Sequence, residues 1–187
     1  INNNKVNSSE LGLSEVSNLI EKPYLFLAKF RESYLNLPEE ILITTMKKNQ
    51  KYFPLYNSKN RLSNYFLLVS NIKSSNEGKT IIEGNQRVVN ARLEDAVFFW
   101  NRDKRHKFEN FFSELNKIIF HNELGTIQQK VIRLKALSLF LSLKLKHDKK
   151  TKADFLDIIK LLKNDLATEV VKEFPELQGI VGAYYAR

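Results

Sequence analysis

The side chains best equipped for chemistry in this sequence are cations. Arg102, Lys104, Arg105 and Lys107 fall within six residues, and Lys130, Arg133 and Lys135 follow along a stretch of helical spacing. Such groups grip a phosphate backbone by charge and hydrogen bonding without reading base sequence, and each contact releases counterions. The stretch Asn101–Lys150 holds 12 basic against 5 acidic side chains, in a chain of 30 and 21 with net charge +9. Two readings of this charge stand side by side: a footprint for a polyanion, or a solvated helical surface. Covalent chemistry has less to work with. No cysteine occurs, which removes disulfides, thiolate metal sites and a cysteine nucleophile, and suits a reducing cytoplasm. The lysine-rich stretch Thr44–Pro54 (TTMKKNQKYFP) carries no carboxylate pair, no nucleophile with a base and no glycine loop. On its residues alone it is a helix end above an aromatic strand.

Positioning these groups requires a folded scaffold. With 187 residues, 43% of them hydrophobic, the chain is long enough for one good core or two small ones. The longest apolar runs, such as Tyr65–Val69 and Leu139–Leu143, fall far short of the roughly 20 residues of a membrane-spanning helix, so no membrane role is expected. Ile1–Glu10 is Asn-rich with no apolar stretch, unlike a signal peptide. The absence of an initiator methionine reads both ends as cuts in a longer polypeptide.

Asn2–Glu10 is polar and is expected to fray, and Leu11, Val16, Leu19 and Ile20 mark a short helix ending before Pro23. Tyr24–Phe30 reads as a strand covered on at least one face. Pro38, Glu39 and Glu40 open a helix whose inner face is Ile41, Leu42, Thr45 and Met46. Pro54 belongs at a strand edge or turn, and Asn57–Asn60 turns the chain into an apolar strand over Leu62–Ile72. After a Ser/Asn/Gly loop at Lys73–Lys79, apolar residues recur at three- and four-residue steps from Asn85 to Trp100. Beyond that, Phe108–Phe120, Ile127–Lys146, Lys152–Lys163 and Leu166–Phe174 all carry helical spacing without strand-like alternation. The fold class is therefore α+β: a mixed domain over 1–102, with 85–100 as connecting helix, followed by an all-helical domain over 103–187.

Four ordered blocks carry a family resemblance. Thr44–Pro54, Gly84–Phe99 (GNQRVVNARLEDAVFF), Phe120–Thr126 (FHNELGT) with Lys130 and Arg133, and Glu173–Ala186 (EFPELQGIVGAYYA) closely resemble the beta subunits of bacterial two-subunit glycyl-tRNA synthetases. The resemblance implies an internal portion of such a subunit. It implies a truncated domain like the B3/B4 domain of phenylalanyl-tRNA synthetase, then a helical domain related to the HD phosphohydrolases. It also implies a heterotetramer with the alpha subunit, tRNA(Gly) as the RNA, and ATP and Mg at the alpha subunit, so this portion needs no cofactor and is catalytically silent alone. Gln86 stands where the family pattern expects an acid, removing a potential partner of Arg87 or Arg92, and Asn164-Asp165 stands where Ala-Asp is usual. Arg92 and Asp95 are three apart and able to pair, with Phe99 two turns on; Arg87, Arg92 and Asp95 are read as structural anchors in preference to substrate contacts.

The HD relationship makes the histidines worth weighing as metal ligands. His121 and Asp165 precede helices and suit relics of such a site, whereas His147-Asp148 sits among four lysines that repel a divalent cation, and His106 reads as surface. No metal site is expected. A metal-dependent HD-type phosphohydrolase is the alternative function, and a purely architectural spacer is a third reading.

Overall fold

The computed structural model describes residues 5–6, 10–74 and 76–187. The chain divides into two compact units, Ile1–Phe98 and Phe99–Arg187. Together they make an α+β protein.

The first unit is built on a four-stranded antiparallel sheet of order β1-β3-β4-β2, from β1 (Lys5–Val6), β2 (Tyr24–Lys29), β3 (Phe53–Tyr56) and β4 (Leu62–Ser70). Of the stretch expected to fray, Lys5 and Val6 pair with Tyr56 and Leu55; its other residues before Glu10 lie outside the described ones, as does Ser75 of the Lys73–Lys79 loop. Pro54 pairs with Phe66 of β4, and the β3–β4 register shifts between Pro54 and Tyr56. Asn57 closes the β3–β4 hairpin by accepting from the N–H groups of Lys59 and Arg61 at 2.9 and 3.1 Å.

Helix α1 (Glu10–Leu19) precedes the sheet, and α2 (Glu39–Gln50) lies between β2 and β3. Pro38 caps α2 from just outside rather than from its first turn, and Ile41, Leu42, Thr45 and Met46 are all buried to 1% exposure or less. Helix α3 (Lys79–Asp103) begins six residues before the periodic stretch read from the sequence and ends three after it. Gly84 sits in its first turns with nothing within 4 Å of where a Cβ would be, so packing does not require glycine there. Val89, Leu93 and Ala96 form its buried stripe. The core gathers Phe66 with Tyr52 (ring centroids 4.8 Å) and Phe30 (6.5 Å).

The second unit is not all helical. A 3-10 segment over Phe108–Lys117 runs into β5 (Ile119–His121), which pairs with β6 (Gly125–Thr126) before α4 (Ile127–Lys144), α5 (Lys149–Leu161), α6 (Glu169–Glu173) and α7 (Ile180–Tyr185). Strands of three and two residues are too short to show alternation, and so this hairpin was invisible to periodicity. The expected helix over Leu166–Phe174 is likewise broken into a 3-10 turn, Asn164–Ala167, and α6, because Thr168 accepts from the N–H of Val171 as an N-cap. Leu115, Val131, Ile159 and Ala167 form one buried cluster, with Phe111, Phe112 and Leu166 against it, and Val170, Phe174, Leu177 and Val181 are buried as well.

Candidate nucleic-acid interface

The first basic cluster occupies the end of α3 and the turn beyond it. Arg102, Lys104, Arg105 and Lys107 are all exposed, while Asp103 in their midst is 2% exposed. The Asp103 carboxylate accepts from the N–H groups of Glu169 and Val170 at 2.9 and 3.0 Å and from the Tyr185 hydroxyl at 3.0 Å. A negative charge thereby sits on the positive end of α6, satisfying two N–H groups with no partner inside the helix. Burial, then the Asp103 charge and hydrogen bond, push the Tyr185 hydroxyl far above the ordinary phenol range. Trp100 stacks on Tyr185 at 4.8 Å, and the Lys104 ammonium lies 5.6 Å from the Trp100 ring centroid. This anchor fixes where the backbone of residues 102–107 emerges. Its one sequence signal is that Asp103 is the sole acid between Arg102 and Lys107.

The second set starts at the β5–β6 hairpin. Thr126 and Gln129 form a capping box, with Gln129 N–H donating to the Thr126 hydroxyl and Thr126 N–H to the Gln129 side chain. Gly125 at φ +81° permits it, since a Cβ there would lie 1.7 Å from the Gln129 amide oxygen. Lys130 lies over the Phe120 ring at 3.7 Å, and Arg133 borders an open hollow of about 470 Å³ with Asn122, Glu123 and Gln129. Lys135 lies elsewhere. Two residues past Arg133 is a rotation of about 200°, and Lys135 lines a separate groove with Glu109, Phe112 and Lys160. Of the three candidates on α4, Lys130 and Arg133 share a side and Lys135 does not. Among the described residues, none of these seven cations has a carboxylate within ion-pair distance; ion pairs within this unit include Lys117–Glu114, Lys160–Asp157 and Lys172–Glu169.

Arg87, Arg92 and Asp95 are exposed on α3. Within the first unit, Asn85 of this helix accepts from the Tyr52 hydroxyl, and Asn90 accepts from the Arg31 N–H at 3.0 Å.

The histidines and aspartates weighed as metal ligands, His121 and Asp165 as relics among them, have other partners. His121 Nδ1 accepts from the Glu123 N–H at 3.2 Å. Asp148 caps α5 by accepting from Thr151 N–H at 2.7 Å, which with the charge of neighbouring groups holds its carboxyl below the usual carboxylate range. Asp165 is 5% exposed and accepts from the Gly179 N–H, and α7 approaches so closely that a Cβ on Gly182 would lie 3.1 Å from Asp165 Cβ. His106 packs edge-on against Phe111. Among the described residues, no three His, Asp or Glu side chains gather as a metal site. No helix among them is long and apolar enough to cross a membrane.

The sequence profile of the family described as glycyl-tRNA synthetase beta subunit matches residues 2–187. The chain belongs to that family. It is 46% identical over 174 residues to the glycine–tRNA ligase beta subunit of Janthinobacterium sp. (strain Marseille), covering 93% of this chain and 24% of that protein. The same-named proteins of Buchnera aphidicola subsp. Schizaphis graminum and Lactobacillus gasseri are 45% and 39% identical, over 93% and 98% of this chain and 25% and 26% of theirs. The chain spans about a quarter of the length of these relatives. Asn164 has a visible structural use. It is wholly buried, and its amide donates to the carbonyls of Phe108 and Lys160 at 3.0 Å each.

Proposed function

We propose that this chain is a tRNA-holding and architectural portion of a glycine–tRNA ligase beta subunit. Its cations hold the backbone of tRNA(Gly), its scaffold associates with the alpha subunit in a cytoplasmic heterotetramer of two alpha and two beta chains, and glycine activation with ATP and Mg takes place on the alpha subunit. In this reading the first unit corresponds to a B3/B4-like domain and the second to an HD-like domain put to binding use. The observation that carries the proposal is the cluster Arg102, Lys104, Arg105 and Lys107: four exposed cations, without carboxylate partners among the described residues, spaced around a buried carboxylate that anchors their backbone. Unneutralised cations at a rigid turn release counterions from a phosphate backbone with little ordering cost. The phosphohydrolase alternative draws no support from the geometry, since His121 and Asp165 each accept from a backbone N–H and gather with no third ligand among the described residues.

The test is the salt dependence of tRNA affinity in the intact two-subunit enzyme carrying R102E, K104E and R105E together. Each phosphate that a cation neutralises adds roughly 0.7 to 0.9 to the slope of log affinity against log salt, so without these three the slope should become shallower by about 2 to 3. An unchanged slope and affinity would favour a purely architectural spacer. Glycine-dependent ATP–pyrophosphate exchange by this chain alone would refute the assignment of activation to the alpha subunit.

A further inference from the structure

Helix α4 is apolar on two faces, and the fold uses only one of them. Val131 and Ser142, at 2% and 1% exposure, point into the core of the second unit. Ile132, Ala136, Leu139 and Leu143 follow one another at steps of four, three and four, with Phe140 beside them, and at about 100° per residue they fall on one stripe turned away from Val131. These side chains are exposed: Ile132 54%, Leu139 36%, Phe140 54% and Leu143 66%. The spacing is that of a knobs-into-holes seam, an apolar stripe between polar flanks that a second helix covers.

We propose that this stripe is the docking seam for an amphipathic helix belonging to the larger part of the family's polypeptide, the part outside the region this chain matches. Three observations select that occupant. The matched region makes up only 24 to 26% of the relatives' length, so a long stretch of the same subunit is present to supply a cover. The stripe is flanked by Arg133 and Lys144 on one side and Lys135 on the other, which fits a covering helix with a leucine-, isoleucine- or alanine-rich seam and acidic flanks. A second copy of this chain fits poorly. Two-fold antiparallel pairing of α4 about residue 138 sets Arg133 of one copy opposite residues 143–144 of the other, placing like charges together.

The experiment compares hydroxyl-radical footprinting of Leu139, Phe140 and Leu143 in two proteins without alpha subunit. One is this chain, and the other is the full-length Janthinobacterium beta subunit with these residues in place of its matching region. Labelling of the three should fall several-fold in the full-length protein at all concentrations. In the chimera, Ile132→Glu with Leu143→Glu should restore labelling of Phe140, while the same pair changes the melting temperature of this chain little because both side chains are more than half exposed in it. Labelling that stays high in the full-length protein overturns the proposal. So does protection that appears only with rising concentration, which assigns the seam to a second copy, or only on adding alpha subunit, which assigns it to that partner.

Discussion

Replacing Asp103 tests the anchor beneath the basic cluster. Its carboxylate is 2% exposed and accepts two backbone N–H groups of α6 and one phenol, at 2.9 to 3.0 Å. In Asp103→Asn one amide oxygen can still serve one N–H, but the amide NH₂ then faces the other N–H, donor against donor, and the charge at the α6 N-terminus is gone. One lost hydrogen bond to a charged acceptor is about 1.5 to 3 kcal/mol and the lost helix-terminus charge about 0.5 to 1 kcal/mol, so the variant should lose about 2 to 4 kcal/mol. For a chain of this size that is a fall in melting temperature of roughly 5 to 15 °C. Asp103→Ala, which strands all three donors, should cost about 3 to 5 kcal/mol. Tyr185→Phe should cost about 1 to 2 kcal/mol alone and less in the Asp103→Ala background, because the bond it removes is already missing there. Chemical denaturation followed by circular dichroism reads all four proteins. A loss below about 1 kcal/mol for both Asp103 variants would refute the reasoning, since a buried carboxylate with three donors cannot be dispensable. The same Asp103→Asn variant raises the net charge of +9 by one. Weaker tRNA binding by it, despite the added charge, would show that placement of the cations matters beyond their number.

Alkaline stability reports on the first unit. Burial pushes the Tyr52 hydroxyl up from 10.0 to about 12, and burial together with Glu39 does the same for Tyr56. Both raised values favour the neutral phenol in the fold, so their contribution is complete below pH 10 and is lost as pH climbs towards 12. Melting temperatures should fall across that window, and a Tyr52→Phe, Tyr56→Phe double variant should fall less steeply; an identical slope would overturn the account. Gly125→Ala should cost about 2 kcal/mol, combining a left-handed backbone with displacement of the Gln129 side chain from its capping box. A smaller cost of Gly125→Ala in a Gln129→Ala background than in the original chain would locate the clash, and no loss at all would contradict it. Met46→Ala, at a site with 0% exposure, should lose about 2 to 5 kcal/mol in urea denaturation, and a value under 1 kcal/mol would mean that this part of the family block does not hold the core.

Much of this protein is legible from residue order. The inner face of α2 follows from Ile41, Leu42, Thr45 and Met46 at helical spacing, and the β3–β4 hairpin from the polar turn at Asn57–Asn60 between apolar runs, because burial and turn chemistry act over neighbouring residues. The four family blocks are equally local, and they led to the family that the sequence profile identifies. What lay beyond reach depends on partners far along the chain. Asp103 looked like one acid in a basic run, yet its donors lie 66, 67 and 82 residues away. The HD-like resemblance points to His121 and Asp165 as relics of a metal site, whereas in the fold His121 accepts from the Glu123 N–H and Asp165 from the Gly179 N–H, 14 residues away. Likewise, Lys130, Arg133 and Lys135 are one basic run in sequence but two faces in space, because a helix turns about 100° per residue.

The sequence by itself determined the composition of each element, the excess of positive charge between Asn101 and Lys150, and membership of the family. Tertiary structure alone decided which acids are spent on backbone N–H groups, which cations share a side, and that α4 shows a second apolar face to its surroundings. The division has one physical cause. Hydrophobic periodicity is written between residues three and four apart, whereas the satisfaction of a buried charge is settled by whichever distant backbone folds against it.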